Sequence, residues 1–294
     1  MAKTTNLGPR IACELTPQRV IAARAADHSG AIETSTVRSL ASGVLAPSLT
    51  EPNLKDGASV QQGISDAINI VGGRGRDVVA ILPDSAVRVT LLDFESLPDK
   101  KTEADAVIRF RLKKAVPFDV DRAAISYEVR RANNGGVRVI AAAALDSVLS
   151  EYEQVFRDCG LAPGVVLPSM LACLGNVTSP EPTLVIKIDA LTTTFAIVAE
   201  GDLLLVRTLE NTNGAIPTPA QLVEDVFPSL VFFQDTYNMR VESILIGGAM
   251  DAEEAGESLQ AQTGVPVRNL VSATLGSAAT PGSLMAGVVG ALAG

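Results

Sequence analysis

Tryptophan is absent from this chain, and tyrosine occurs only three times. Surfaces that bind single-stranded nucleic acid stack bases on aromatic rings, so that chemistry is poorly supplied. Cations are also in deficit: 24 Lys and Arg stand against 33 Asp and Glu, a net charge of −9. A binder of the phosphate backbone concentrates Lys and Arg, and this composition argues against any nucleic-acid partner. Histidine occurs once, as His28, and cysteine three times, as Cys13, Cys159 and Cys173. Three distant thiols and one imidazole do not assemble a zinc set, and a catalytic triad would have to take its base from His28. His28 lies in Ala26-Asp27-His28-Ser29-Gly30, which reads as a hairpin turn, a poor place for a buried base. The cysteines read as small buried thiols of a reducing compartment.

Long hydrophobic runs are missing too. The longest uncharged apolar stretch, residues 284–294, is short and rich in Gly and Ala, whereas a membrane span needs about 20 apolar residues. The first ten residues are mostly polar, and no secretory leader is read there. The expectation is a soluble cytoplasmic chain. What it has in quantity is apolar surface: 47% of its 294 residues are hydrophobic and 19% charged, enough for a core divided between two lobes.

Three short runs at 10–15, 19–27 and 31–40, rich in Val, Ile, Thr and Ala and separated by turn residues, predict a β-meander. Residues 57–71 carry Val60, Ile64, Ala67, Ile68 and Val71 at helical spacing, and Gly72-Gly73-Arg74-Gly75 ends that helix. Glycines that follow a helix and precede a strand are in the wrong order for a phosphate loop. Strands are predicted at 77–82 and 86–94. A helix opens at Thr102 with Ala104, Val107, Ile108, Leu112 and Ala115 on one face, and Pro117 stops it. Strands at 123–131 and 137–144 flank Asn133-Asn134-Gly135-Gly136, a hairpin signal. A helix at 146–159, a short strand at 165–167 and a small-residue helix at 169–174 close the first half. Beyond Ser179-Pro180-Glu181-Pro182 the pattern repeats, with strands at 184–188, 192–200 and 202–208 and a helix at 220–237 that contains Pro228, which would kink or divide it. A strand at 241–246, a helix at 251–263, a strand at 265–268 and an apolar helix at 284–292 follow.

The stretch 78–129 carries a family likeness. Ile81-Leu82-Pro83, a hairpin through Val87-Arg88, Leu97-Pro98, a charged amphipathic helix, Val116-Pro117-Phe118 and Ile125-Ser126-Tyr127-Glu128-Val129 follow one another in an order that resembles the PilM family of type IV pilus assembly proteins. Ser126 stands where that family has Asp. The likeness implies an α/β, actin-like (ribonuclease H-like) two-lobed fold. Its lobe 1 core would comprise 1–77 and 141–179, an inserted α/β subdomain on the partner-binding side 78–140, and lobe 2 180–294. The short connector between Arg207 and Leu222 implies that the outer subdomain of lobe 2 is reduced.

In that superfold two hairpin turns, each with an Asp and a Gly, aim backbone N–H groups at nucleotide phosphates, and the acid holds hydrated Mg²⁺. The first turn here is Cys13-Glu14-Leu15-Thr16-Pro17-Gln18, with Glu14 for the Asp and Thr16 for the Gly. The second is Lys187-Ile188-Asp189-Ala190-Leu191-Thr192, with Lys187 for the Asp and Asp189 for the Gly; Thr192 and Thr193 continue it. Gly247-Gly248 stands where the superfold holds adenosine, or is simply a tight strand-to-helix turn. The resemblance implies that these residues form a degraded nucleotide site, in which Lys187 either meets a phosphate directly or pairs with Asp189 and fills the space. No catalytic residue, metal or cofactor is expected, and Mg-ATP is the alternative. Arg109, Phe110, Arg111, Lys113, Lys114, Pro117 and Phe118 form a basic, partly aromatic face that is either solvated or a docking surface for a partner or anionic lipid.

The resemblance thus implies a non-enzymatic cytoplasmic scaffold that clasps the N-terminal tail of a single-pass inner-membrane pilus protein (PilN-like). It would contact other motor or platform proteins, self-association being open. The alternatives are an ATPase or sugar-kinase-type enzyme of the same superfold, or a relative of a type II secretion cytoplasmic domain.

Overall fold

The computed structural model of the chain describes residues 9–26, 30–73, 75–131, 135–272 and 281–293. His28, Arg74 and the Asn133-Asn134 pair lie outside them. The first half runs β1 (Ile11–Thr16), β2 (Arg19–Ala25), β3 (Ile32–Ser39), α1 (Gly57–Val71), β4 (Asp77–Leu82), β5 (Arg88–Phe94), α2 (Lys101–Leu112), β6 (Ala123–Arg131), β7 (Val137–Leu145), α3 (Asp146–Asp158), β8 (Ala162–Pro168) and α4 (Ser169–Cys173). The second runs β9 (Thr183–Ile188), β10 (Thr192–Ala199), β11 (Asp202–Glu210), α5 (Pro219–Tyr237), β12 (Ser243–Gly248), α6 (Ala252–Thr263), β13 (Val267–Asn269) and α7 (Ala286–Ala293).

Two five-stranded sheets share one plan, β3-β2-β1-β4-β8 and β11-β10-β9-β12-β13. In each, an antiparallel meander feeds a first strand, β1 or β9, that pairs in parallel with the strand after the next helix. Every residue of β1, β9 and β10 is buried, which is why these strands are continuous rather than alternating apolar runs. Layers of side chains fill the space on both faces. Ile64, Tyr152 and Phe156 lie beneath α1 and α3 in the first half, and Phe195, Leu222 and Phe233 beneath α5 in the second. Between the sheets, Ala12, Ile21 and Ile81 of the first meet Val185 and Ala196 of the second, with Met285 and Val288. A fully buried aliphatic or aromatic side chain contributes about 1.5–3 kcal/mol, so this middle layer fastens the two halves.

The helix ends follow local chemistry. The Asp56 side chain accepts the Ser59 N–H at the start of α1, and Gly72, at φ +65°, closes its end. Thr218 and Gln221 form a capping box on α5, with Pro219 at its first position. Pro228 neither ends nor divides α5, which continues to Tyr237 and stops at Asn238, at φ +53°. Ser229 and Phe233 are buried there, so packing holds the turn whose hydrogen bond the proline removes.

Some sequence expectations shift. Asp77–Leu82 pairs with β1 and β8, so it belongs to the first sheet. The separate three-stranded sheet, β5-β7-β6, begins at Arg88 and ends at Leu145, displaced from the expected 78–140. Ile108 and Leu112 of α2 pack on Leu92 and Val139 of that sheet. Val107, expected on the same apolar face, is exposed, and Ala115 lies beyond the end of α2. α7, numbered with the second lobe, packs on β1, β2 and α4 of the first. Its glycines permit this approach: a Cβ on Gly290 would stand 2.1 Å from the Ala172 carbonyl oxygen.

Candidate functional site

The duplicated plan places β1 and β9 at corresponding positions, and the side chains they direct between the sheets meet. Lys187 Nζ donates to Glu14 Oε1 at 2.9 Å and to Asp189 Oδ1 at 3.1 Å. The Ser169 hydroxyl, at the start of α4, donates to the same Glu14 oxygen at 2.6 Å. Glu14 and Lys187 are buried and Asp189 nearly so. Burial pushes the Glu14 carboxyl above its ordinary range, against the pull of Lys187. Burial alone would depress the Lys187 ammonium, but Asp189 and Glu14 outweigh it and hold the lysine protonated well above its usual value. Removing these charges from water costs several kcal/mol each, which only close pairing and hydrogen bonds repay. One atom is left out of the network: Glu14 Oε2 is buried without a hydrogen-bond partner. It faces Gly287 of α7, where a Cβ would approach it to 2.4 Å.

The two turns are closed on themselves. In the first, the Arg19 N–H donates to Thr16 Oγ1 at 3.0 Å and the Thr16 hydroxyl donates to the Arg19 carbonyl at 3.2 Å; Pro17 contributes no N–H. In the second, the Asp189 N–H donates to the Thr192 carbonyl at 2.8 Å, and Asn211 Nδ2 donates to the Asp189 carbonyl at 2.8 Å. The Thr193 hydroxyl completes that bracket at 2.7 Å from Asn211 Oδ1. Thr192 is buried and reaches a cavity of about 640 Å³ that Asp84, Arg88, Pro117 and Arg207 also line.

Gly247 and Gly248 end β12 beside Ile188. Gly248, at φ +98°, sits so close that a Cβ would fall 2.0 Å from the Ile188 carbonyl oxygen. A Cβ on Gly247 would come within 3.1 Å of the Ala286 Cβ and 3.4 Å of the Ser283 carbonyl. Gly248 therefore permits a close backbone approach, whereas Gly247 is crowded mainly by a side chain.

The Glu14 and Asp189 carboxylates are both bonded to the Lys187 ammonium, whose charge repels any further cation placed there. Among the described residues, no group of three or more His, Cys, Asp and Glu is arranged to hold a metal ion.

The sequence singled out Glu14, Lys187 and Asp189 in two separate turns; the structure brings the three together, with three neighbours that the sequence did not single out. Ser169 and Gly287 carry no local signal. Asp84 follows the Leu82-Pro83 motif; it is buried, accepts the Met170 N–H at 2.9 Å, and its carboxyl is pushed up to about 6, chiefly by burial.

The basic face of α2 is less uniform than its sequence. Arg109 donates to the Val120 carbonyl at 3.0 Å, Lys113 pairs with Asp121 at 3.6 Å, and Arg111 stacks over the Phe94 ring with its guanidinium 5.5 Å from the centroid. Lys114 and Pro117 are exposed, Phe118 is half-buried, and Phe110 is 66% exposed. Among the described residues no helix is long and apolar enough to cross a membrane.

No protein-family model and no curated protein sequence matches the chain. Solved structures do. The PilM-PilN type IV pilus biogenesis complex contains a chain that superposes with a TM-score of 0.80 over 97% of this chain and 98% of that one, at 18% identity. The ethanolamine utilization protein EutJ from Carboxydothermus hydrogenoformans gives 0.55 over 98% and 91% at 10% identity. The cytoplasmic domain of EpsL, an inner-membrane component of the type II secretion system of Vibrio cholerae, gives 0.52 over 80% of each chain at 10% identity. A Bacteroides thetaiotaomicron protein with an actin-like ATPase fold gives 0.51 at 11% identity. The two meander-and-helix halves joined across β1 and β9 are the actin-like ATPase fold, and this chain has it.

Proposed function

We propose that this chain is a non-catalytic, PilM-like scaffold of a type IV pilus or related secretion assembly, held at the inner membrane by the N-terminal cytoplasmic tail of a single-pass, PilN-like partner. The observation that carries this reading is the Lys187–Glu14–Asp189 cluster. Phosphoryl transfer depends on metal-held phosphates, and here a buried lysine neutralises the carboxylates of both turns. With catalysis disfavoured, the likeness to a chain solved with PilN, spanning nearly the full length of both, supports a binding role. The exposed part of the α2 face, Phe110, Arg111 and Lys114 with Pro117 and Phe118, is the proposed docking side. Partner motor or platform proteins and self-association belong to the same reading.

The test is capture of synthetic N-terminal tails from single-pass membrane proteins encoded beside this chain. Phe110→Asp combined with Arg111→Glu and Lys114→Glu is expected to abolish capture while the thermal midpoint barely moves, since exposed substitutions change stability by about 0.5 kcal/mol. Capture that survives these changes removes the docking side. Calorimetry that finds tight Mg-ATP binding, or ATP turnover, overturns the non-catalytic reading.

A further inference from the structure

We propose that the cleft where the three-stranded sheet meets the second lobe is a second docking groove, one that takes an acidic peptide segment bearing large apolar side chains. It is separate from the α2 face and does not depend on the reading above.

The groove is built from two neighbouring cavities of about 450 and 290 Å³ that have Asp93, Arg138, Leu204 and Tyr237 in common. Its walls are β5, β6 and β7 of the small sheet on one side and β11 and α5 of the second lobe on the other. Leu91, Leu204 and Phe232 make it apolar, and Phe232 is left 52% exposed. Phe227 and Val231 of the same helix are exposed as well, outside the cavity lining. A large apolar side chain left exposed in a concave lining suits an apolar anchor of a partner.

Charge selects the occupant. The lining carries four arginines, Arg130, Arg131, Arg138 and Arg207, against two aspartates, Asp93 and Asp202, in a chain whose acids outnumber its bases by 33 to 24. Arg138 holds Asp93 through two hydrogen bonds, at 2.7 and 3.1 Å, and Arg130 is paired with Glu128 at 2.8 Å, which leaves Arg131 and Arg207 as the lining's available cations. Arg207 has Asp225 as an electrostatic neighbour, but among the described residues neither it nor Arg131 forms an ion pair. Arginine is suited to paired hydrogen bonds with carboxylates. An anionic partner with apolar anchors satisfies both features, and the concave shape favours a peptide over a flat surface.

A phage-displayed random peptide library selected on the full chain tests this, followed by titration of the selected synthetic peptides. The expected consensus is acidic with Phe or Leu. Affinity should fall about tenfold or more with Phe232→Asp or with Arg131→Glu and Arg207→Glu together, with unchanged melting, while Phe110→Asp leaves it intact. Selection of no peptide, or of peptides indifferent to the groove variants, overturns the proposal. So does a wild-type dimer that Phe232→Asp converts to monomer without peptide binding, or groove-dependent binding of phosphatidylglycerol vesicles in place of peptides.

Discussion

Lys187 on β9 reaches Glu14 on β1 at 2.9 Å although 173 positions separate them, and both side chains are buried. The contact ties the two sheets together.

Replacing Lys187 with Met removes the cation from this cluster and strands Glu14 with Asp189. The expected cost is about 3–5 kcal/mol, read by chemical denaturation. Adding Glu14→Leu should recover much of the loss, because a buried pair replaced together by apolar residues is often near neutral. If the single change is harmless, the cluster contributes no structural constraint.

Asp84 makes stability depend on pH. Its carboxyl is raised from 3.8 to about 6 in the folded chain, so between those values the native state binds the extra proton. Below both values the group is protonated folded and unfolded, and no penalty exists. As pH rises from about 4 to about 6 the penalty grows to ~3 kcal/mol at most, then stays constant. Asp84→Asn keeps an oxygen for the Met170 N–H. It should stabilise the chain at pH 7.5 and flatten its stability between pH 4 and 6; an unchanged profile refutes this origin.

Two glycines should differ sharply on mutation to Ala. At Gly248 the added Cβ meets backbone 2.0 Å away at φ +98°, whereas at Gly43, at φ +81°, nothing lies within 4 Å. Gly43→Ala should cost about 1 kcal/mol from backbone strain alone, and Gly248→Ala more than about 3 kcal/mol. Equal melting points would show that β12 relaxes away from Ile188.

Arg138 of β7 lies over the Tyr237 ring of α5, 5.5 Å from its centroid, while the Tyr237 hydroxyl donates to the Leu204 carbonyl at 3.0 Å. Arg138→Ala is expected to cost about 1 kcal/mol and to speed amide exchange along β11 and the C-terminal turn of α5. Exchange confined to β7 would mean that this contact does not couple the small sheet to the second lobe.

The meanders, α1, α3 and the 3.6-residue stripes were legible because burial on one face imposes a period on the chain. The family-like run from Ile81 to Val129 pointed to the same fold. The pairing of Glu14 with Lys187 was half legible: each residue stood out as a replacement in its own turn, and the idea that an acid–lysine pair fills the site came from Lys187 and Asp189 alone. Only the tertiary structure could supply Glu14 as the lysine's nearer partner, because nothing local to β1 encodes what β9 will bring. The same holds for Ser169, for Gly287 above the unpartnered Glu14 oxygen, and for α7, which crosses to the first half because its glycines let backbone approach backbone. The groove between β5 and β11 is of this kind as well. Its arginines and phenylalanines lie on separate elements, and only the packing of the small sheet against the second lobe makes one surface of them. Periodicity records which face of an element is buried, whereas the partner that buries it is set by long-range packing.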